Sequence, residues 1–111
     1  MLALLMMAGV VTPAEITFDL RIERGLLPQN MRVIRVKQGD VVKLRWSADQ
    51  PGVLHLHGYD IEKKIAPGAA TEMTFTAHAT GRFPVHVHMP QERGARSHDE
   101  VPLVRIEVHP R

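Results

Sequence analysis

Apolar and polar residues alternate with a period of two near the start of the charged part of the chain. Ile16, Phe18, Leu20 and Ile22 occupy every second position, and polar or charged residues fill the positions between them. Because successive side chains of a β-strand point to opposite faces, this pattern predicts a strand with one buried face. Apolar residues at helical spacing do not persist beyond one turn in any window. The periodicity therefore predicts an all-β fold.

Turn sequences divide the rest of the chain into short segments. Gln38-Gly39-Asp40, Gln50-Pro51-Gly52, Ala66-Pro67-Gly68 and Thr80-Gly81 each separate two apolar-rich runs. About eight strands with turns every 8–12 residues are typical of a sandwich or small barrel. The chain has 111 residues and no cysteine, so one domain without disulfides is expected. We predict an antiparallel β-sandwich or a small barrel.

The first fourteen residues carry no charge and include the run Leu2-Ala3-Leu4-Leu5-Met6-Met7. This run is too short for a membrane-spanning helix, which needs about 20 apolar residues. It fits the apolar region of a secretory signal peptide, with Thr12-Pro13-Ala14 as a cleavage site, although no Lys or Arg precedes it. Residues 1–14 are therefore expected to be a signal-peptide remnant or simply an apolar N-terminal segment, and residues 15–111 the domain.

The charge distribution argues against nucleic-acid binding. The formal net charge is +2, the basic residues are scattered, and the chain has only three Phe, one Tyr and one Trp. A nucleic-acid-binding domain usually concentrates its basic residues and adds aromatic side chains for stacking. We expect a metal ion and a periplasmic protein as partners, and neither nucleic acid nor a membrane.

Two histidine pairs are the most specific chemical feature. His55-Leu56-His57 and His86-Val87-His88 each place two imidazoles on one side of a predicted strand. Imidazole nitrogen suits copper, zinc, nickel and iron, and two neighbouring pairs would offer four such ligands. A further histidine, in the loop that follows the second pair, would complete or gate the site. The predicted metal ligands are His55, His57, His86, His88 and His98.

The same alternation predicts where the histidines point. Val85 and Val87 are expected to face the core, which leaves His86 and His88 outward on an accessible face. Met89 is either a soft ligand for Cu(I) or a packing residue. Carboxylates near the pairs in sequence are candidates to orient the rings through their second nitrogen. These carboxylates are Asp60, Glu62, Asp99 and Glu100.

The run Val36-Lys37-Gln38-Gly39-Asp40-Val41-Val42 precedes a histidine strand, and Pro67-Gly68 and Gly81-Arg82-Phe83 follow it. This order of motifs resembles that of the cupredoxin fold over nearly all of the chain from Ile16 to Val108. The resemblance implies a Greek-key antiparallel β-sandwich of about eight strands. In one alignment the chain is similar to the copper domain of cytochrome c oxidase subunit II. That resemblance places His57 at the first histidine ligand, Val87 at the ligating cysteine and His98 near the later histidine ligand.

A second branch of the family gives a closer motif match. His55-Leu56-His57-Gly58, and later Gly81-x-Phe83 with His86-Val87-His88, resemble the first domain of multicopper oxidases. That resemblance implies a domain that supplies four histidines to a copper cluster completed by another domain. A blue-copper centre requires a thiolate, which Val87 lacks, so the chain is not expected to transfer electrons through one. An all-imidazole, type-2-like site remains.

These observations lead to one favoured function and two alternatives. We expect an exported, periplasmic, non-enzymatic protein that binds copper for tolerance, storage or delivery. Cu(II) is the preferred ion by the Irving–Williams order, and zinc would occupy the same nitrogens in vitro. One alternative is an interaction module that keeps the fold without the metal. The other is a subunit of an oligomeric copper enzyme, for which the sequence offers no catalytic carboxylate pair or triad.

Overall fold

The computed structural model describes residues 13–89 and 101–111, which contain eight β-strands and one short turn of 3-10 helix, Gln29–Met31. No helix in these residues is long and apolar enough to cross a membrane. The all-β prediction is confirmed. The strands are β1 (Glu15–Ile22), β2 (Val33–Lys37), β3 (Val41–Ala48), β4 (Gly52–Leu56), β5 (Ile61–Ile65), β6 (Thr71–Thr76), β7 (Gly81–His88) and β8 (Val104–His109).

The strands form two sheets that share one core. The three-stranded sheet has the order β1-β3-β6, and the five-stranded sheet has the order β2-β8-β7-β4-β5. Most strands bury alternate side chains between the sheets, as the period of two predicts, whereas β5 buries only Ile65. Leu44 and Trp46 of the smaller sheet and Leu54 and Val85 of the larger one are all fully buried. The fold is a β-sandwich whose outer faces are open to solvent.

Two strand pairs differ from the antiparallel expectation. β1 pairs with β3 in parallel, and β2 pairs with β8 in parallel. The chain passes to the opposite sheet between β1 and β3, so it returns to the first sheet in the same direction. The alternation of apolar residues specifies which face of a strand is buried, and it carries no information about the direction of the neighbouring strand. Both sheets are therefore mixed.

Asp40 ties Ala14, which directly precedes β1, and the C-terminal Arg111 to the turn between β2 and β3. Its carboxylate is 2 % exposed and accepts hydrogen bonds from the backbone N–H of Lys37 at 3.0 Å and of Ala14 at 3.2 Å. Arg111 pairs with the same carboxylate. The Lys37 hydrogen bond contributes most to holding the pKa of Asp40 below its ordinary value. This buried anion is fully engaged, as a buried charge must be.

The strand next to the histidine pairs is a charged edge. β5 pairs only with β4 in its sheet, and Glu62, Lys63 and Lys64 are all exposed. Lys63 lies opposite the buried Leu54, so it stands on the core side of the edge strand. Charges on an edge strand, and inward-facing ones above all, oppose pairing with another chain. The larger sheet therefore ends here at β5.

Candidate metal centre

The two histidine pairs lie on neighbouring strands. β4 and β7 are antiparallel, with His55 directly opposite His86 and Val53 opposite His88. His57 follows the last residue of β4, and its backbone N–H donates to the Pro84 carbonyl at 3.0 Å, which continues the pairing by one step. Residues distant in sequence thus meet on one patch of the five-stranded sheet.

The core residues between the histidines fix which way the imidazoles point. Leu54, Leu56 and Val85 are fully buried, so the residues alternating with them lie on the outer face of the sheet. His55 and His86 are half-buried there, and His88 is exposed. His57, just beyond the end of β4, is also half-buried. The predicted outward orientation is confirmed. A shift of one residue in register would send these imidazoles into the core.

Three of the rings touch. The ring centroids of His55 and His57 are 4.1 Å apart with the planes tilted by 49°. The rings of His57 and His86 are 5.0 Å apart and nearly perpendicular, at 85°. Two imidazoles bound to one ion through bonds of about 2.0–2.1 Å have centroids roughly 4.5–5 Å apart when the bonds meet at a right or tetrahedral angle. The His57–His86 spacing falls in this range, whereas the His55–His57 spacing is shorter.

The cluster favours the neutral form of His57. Partial burial lowers the pKa of His57 most, because the charged ring is poorly hydrated there. Repulsion from His55, His86 and His88 lowers the pKa further, and only Asp60 opposes the shift. A neutral ring keeps the lone pair that a metal ion requires. His57 is thus available as a ligand at neutral pH.

Close packing against an aromatic ring holds the turn after His57. Gly58 has φ +91°, and a Cβ atom placed on it would lie 2.4 Å from Cδ1 of Phe83. The Tyr59 ring lies 4.8 Å from the rings of both Phe83 and Phe75. The hydroxyl of Tyr59 donates to the Ala79 carbonyl at 3.1 Å. This cluster keeps His57 beside β7.

Tyr59 is the supporting residue that sequence reasoning missed. It follows the histidine pair and Gly58 directly, and it is one of few aromatic residues in the chain. Its spacing to the later Phe75 and Phe83 reveals nothing about their contact, since that contact arises only when β4, β6 and β7 are folded together. An aromatic residue just after a Gly turn was the available indication.

The remaining predicted residues divide into three groups. Glu62 is opposite His55 on β5, and exposed Asp60 ends the turn that follows His57. Met89 is 8 % exposed in the core, and a Cβ atom on Gly52 would lie 3.1 Å from its sulfur. Met89 is therefore a packing residue here. His98, Asp99 and Glu100 lie outside the described residues.

The other two described histidines do not join the cluster. His78 is exposed, with Nδ1 3.3 Å from the Thr76 carbonyl. His109 is exposed, with Nε2 3.2 Å from Glu107. Within residues 13–89 and 101–111, no three His, Cys, Asp or Glu side chains already have the arrangement of a metal site. The patch brings donors together without aiming them at one point.

Solved structures with a similar fold are known, although sequence comparisons find no match. No protein-family model and no curated protein sequence matches the chain. A heme-copper terminal oxidase structure superposes with a TM-score of 0.64 at 17% identity, covering 84% of this chain and 64% of that one. The periplasmic domain of subunit II of cytochrome oxidase from Bradyrhizobium japonicum gives 0.61 at 17% identity, covering 83% and 82%.

A copper nitrite reductase from Nitrosomonas europaea has the same fold, with a TM-score of 0.63 at 18% identity. The match covers 87% of this chain but only 42% of the reductase, and the chain likewise spans less than two thirds of the terminal oxidase chain. These structures are cupredoxin-like, so the chain has the cupredoxin-like fold that its motif order predicts. At these identities the likeness establishes the fold alone.

Proposed function

We propose that the chain is an exported, periplasmic copper-binding protein that uses an all-imidazole, type-2-like site for copper tolerance, storage or delivery. The observation that carries this proposal is the contact of His55, His57 and His86 rings on one accessible face. His88 lies on the same face and strand as His86, and His98 is proposed as an additional ligand. A copper-binding protein studied in its apo form shares the fold at 12% identity and a TM-score of 0.59.

The donor set agrees with copper on chemical grounds. Neutral imidazoles are borderline ligands, and Cu(II) binds such sites most strongly among the common divalent ions. Turning the rings about their side-chain torsions would bring the nitrogens of neighbouring rings to a common point, since the ring centroids are only 4.1 Å and 5.0 Å apart. Glu62 and Asp60 lie next to the cluster and would accept a hydrogen bond from the second ring nitrogens.

The chain's own residues favour holding and releasing an ion over redox chemistry. No cysteine is present to supply the thiolate of a blue-copper centre. The imidazoles lie on the surface of a sheet, where solvent and a partner reach them, and the Gly58–Phe83 contact holds only one side of the cluster. Bound copper would supply Lewis acidity at this surface. Uptake and transfer fit this arrangement.

Export rests on the N-terminal segment and on the fold. Residues 1–14 have the apolar composition of a signal-peptide core. The subunit II structure that shares the fold is described as a periplasmic domain. Expression with the native N-terminus, followed by mass spectrometry of the periplasmic fraction, tests the proposal. A mature chain beginning near Glu15 is expected, and retention of the intact chain in the cytoplasm contradicts export.

The direct test of the metal site is Cu(II) titration followed by electron paramagnetic resonance at one equivalent. We expect nitrogen hyperfine structure from several imidazoles. The double variant His55→Ala/His86→Ala should bind copper at least about 100-fold more weakly, since it removes two ligands. The matched control His78→Ala/His109→Ala removes two exposed histidines outside the cluster and should leave affinity unchanged. Equal affinities in the two double variants would exclude this site.

The second candidate function is an interaction module without metal. The lack of a preformed ligand arrangement in the described residues favours it. The histidine patch would then serve as a surface whose charge changes between about pH 5 and 7, close to the ordinary histidine pKa. If this second function is correct, the Cu(II) titration should show no stoichiometric binding, and the electron paramagnetic resonance spectrum should be that of unligated copper.

A further inference from the structure

The outer face of the five-stranded sheet has an excess of positive charge. Its outward residues on the five strands include five basic and two acidic side chains. The face also carries five histidines, which are neutral in the formal charge count: His55, His57, His86, His88 and His109. The basic residues are Arg35, Lys37, Lys64, Arg82 and Arg105, and the acidic ones are Glu62 and Glu107.

The basic side chains lie in rows that run across the strands toward the histidines. Arg82 is opposite Glu107, which is opposite Arg35. The next row places Arg105 opposite Pro84, whose carbonyl binds the backbone of His57. Because neighbouring strands are about 4.8 Å apart, Arg105 is roughly 10 Å from the histidine patch. The charge and the candidate metal centre therefore share one continuous surface.

Glu107 offsets one positive charge of this face, and its ion-pair partner is Arg35 rather than Arg82 or Arg105. Its carboxylate accepts a hydrogen bond from Nε of Arg35 at 3.1 Å and lies 3.2 Å from Nε2 of His109. The His109 contact, above all, lowers the pKa of Glu107, with help from Arg35 and Arg82. By contrast, Arg82 and Arg105 form no ion pair with any described residue. These guanidinium groups are positioned for a negatively charged partner.

We propose that this face docks an acidic surface of a partner protein that exchanges copper with the histidine patch. The choice of partner rests on the proposed copper function, whereas the charge of the face does not. Neutral imidazoles leave the charge of a bound ion uncompensated, so copper would add positive charge to the same surface. An acidic partner is then steered to the loaded face by long-range attraction.

The distribution of side chains favours a protein over a lipid surface or a small anion. The basic groups are spread over β2, β8 and β7 rather than converging on one point, as a small anion would require. The outward residues of the five strands include no Leu, Ile or aromatic side chain to enter a bilayer. Five strands at about 4.8 Å spacing and of five to eight residues each give roughly 450 Å², the size of one side of a transient interface.

The test uses a synthetic acidic peptide in which Asp and Glu alternate with Gly and Ser. Binding to the full chain is followed by nuclear magnetic resonance shifts and by titration at two salt concentrations. We expect shifts on the outward residues of β2, β7 and β8 and weaker binding at high salt. Replacing Lys37, Arg82 and Arg105 by Gln should weaken binding about tenfold or more, while the Arg35–Glu107 pair stays intact.

The matched control changes the charge equally on the opposite sheet. Arg21→Gln/Lys43→Gln/Arg45→Gln also removes three positive charges and should retain peptide affinity within about twofold. Equal losses in both triple variants would mean attraction by net charge alone and would overturn the proposal. Tighter binding to phosphatidylglycerol vesicles than to the peptide would overturn it in favour of a lipid surface.

The same variants separate this inference from the copper proposal. Copper titration of the Lys37/Arg82/Arg105 variant should match the unaltered protein, because none of these residues belongs to the histidine patch. Loss of peptide binding with unchanged copper binding supports the docking face. If His55→Ala/His86→Ala retains full copper affinity while the peptide still binds the basic face, the copper proposal fails. The basic face then remains a docking surface for an acidic partner, without a role in copper exchange.

Discussion

The two outer faces of the sandwich follow the same pairing rule with opposite signs. On the three-stranded sheet, Arg45 stands between Asp19 and Glu72, with contacts of 3.6 and 3.7 Å. On the five-stranded sheet the order is reversed, because Glu107 lies between Arg35 and Arg82. Cross-strand pairing of opposite charges stabilises both rows slightly. The two faces differ in net charge. The five-stranded sheet has an excess of positive charge, because Arg82 and Arg105 form no ion pair with any described residue there, and it also carries the histidines.

The two faces differ both in charge balance and in whether they carry histidines. The smaller sheet has three outward acidic and three outward basic residues on its strands, so its charges cancel locally. Its outer face carries no histidine in the described strands. The larger sheet carries its excess positive charge and its imidazole nitrogens on the same face. We therefore expect substitutions on the smaller face to change little beyond stability.

The largest expected effect comes from beneath the histidine face. Gly58→Ala would place Cβ 2.4 Å from the Phe83 ring at a φ of +91°, so both sterics and backbone strain oppose it. We expect a loss of about 3 kcal/mol in the free energy of unfolding, measured by urea denaturation, together with weaker copper binding. Gly68→Ala is the control, because φ is +84° there with open space around the Cβ position. It should cost about 1 kcal/mol. Similar costs at both positions would refute the role of the Phe83 contact.

The next largest effect is expected at Asp40, in the turn that connects β2 of the larger sheet with β3 of the smaller one. Asp40→Asn keeps the shape of the side chain but removes its charge from Arg111 and from two backbone donors. We expect a loss of about 2 kcal/mol at pH 7. The folded pKa of Asp40 lies below its ordinary value of 3.8, so the charge stabilises the fold above that pH and this contribution disappears as pH falls through the folded pKa. Urea denaturation at pH 7 and pH 3 should show the gap between variant and unaltered protein narrowing, and a constant gap would contradict the assignment.

A smaller effect distinguishes the histidine face by its response to pH. Because the folded pKa of His57 lies below the ordinary 6.5, the unfolded chain binds protons more readily than the folded one. Stability without metal is therefore complete above about pH 6.5 and declines as pH falls toward the folded pKa. His57→Gln should flatten this decline in urea denaturation between pH 7 and 5. Nuclear magnetic resonance titration of the ring should give a midpoint below 6.5, and a midpoint above it would contradict the mutual repulsion of the rings.

The smallest effect is expected on the neutral face. Arg45→Gln breaks the contacts with Asp19 and Glu72, all of which are exposed. Exposed ion pairs of this kind contribute about 0.2–1 kcal/mol, so the unfolding free energy should fall by no more than that. Copper affinity should remain unchanged. A larger change in copper affinity than in stability would show that the two faces are coupled through the core.

Much of the fold was predictable because burial leaves a simple trace in the sequence. The alternation around Leu20 and Ile22, and the turn at Gly39, correctly predict β1 and the β2–β3 connection. The parallel pairing of β1 with β3 was not predictable, since alternation is indifferent to strand direction. Gly52 was expected to be part of a turn and instead starts β4, where it lets the backbone approach His88 closely.

The candidate site was predictable in composition and orientation but not in geometry. The spacing of two residues correctly gave a shared outward direction for His86 and His88. The opposition of His55 and His86 depends on the pairing of β4 with β7, which no local pattern specifies. The basic rows of Arg82 and Arg105 were also invisible, because residues scattered along the chain become neighbours only through register.

The register between β4 and β7 also sets when the site comes into existence. In an extended, unpaired chain each histidine pair offers two nitrogens, and about thirty residues separate the pairs. The same strand pairing that buries Leu54 against the core brings His55 opposite His86, so the wider donor set forms in the cooperative folding step. A chain crossing a membrane unfolded would thus be a poor copper ligand in transit. Copper loading would follow folding, and the metal would in turn act as a reporter of native strand pairing.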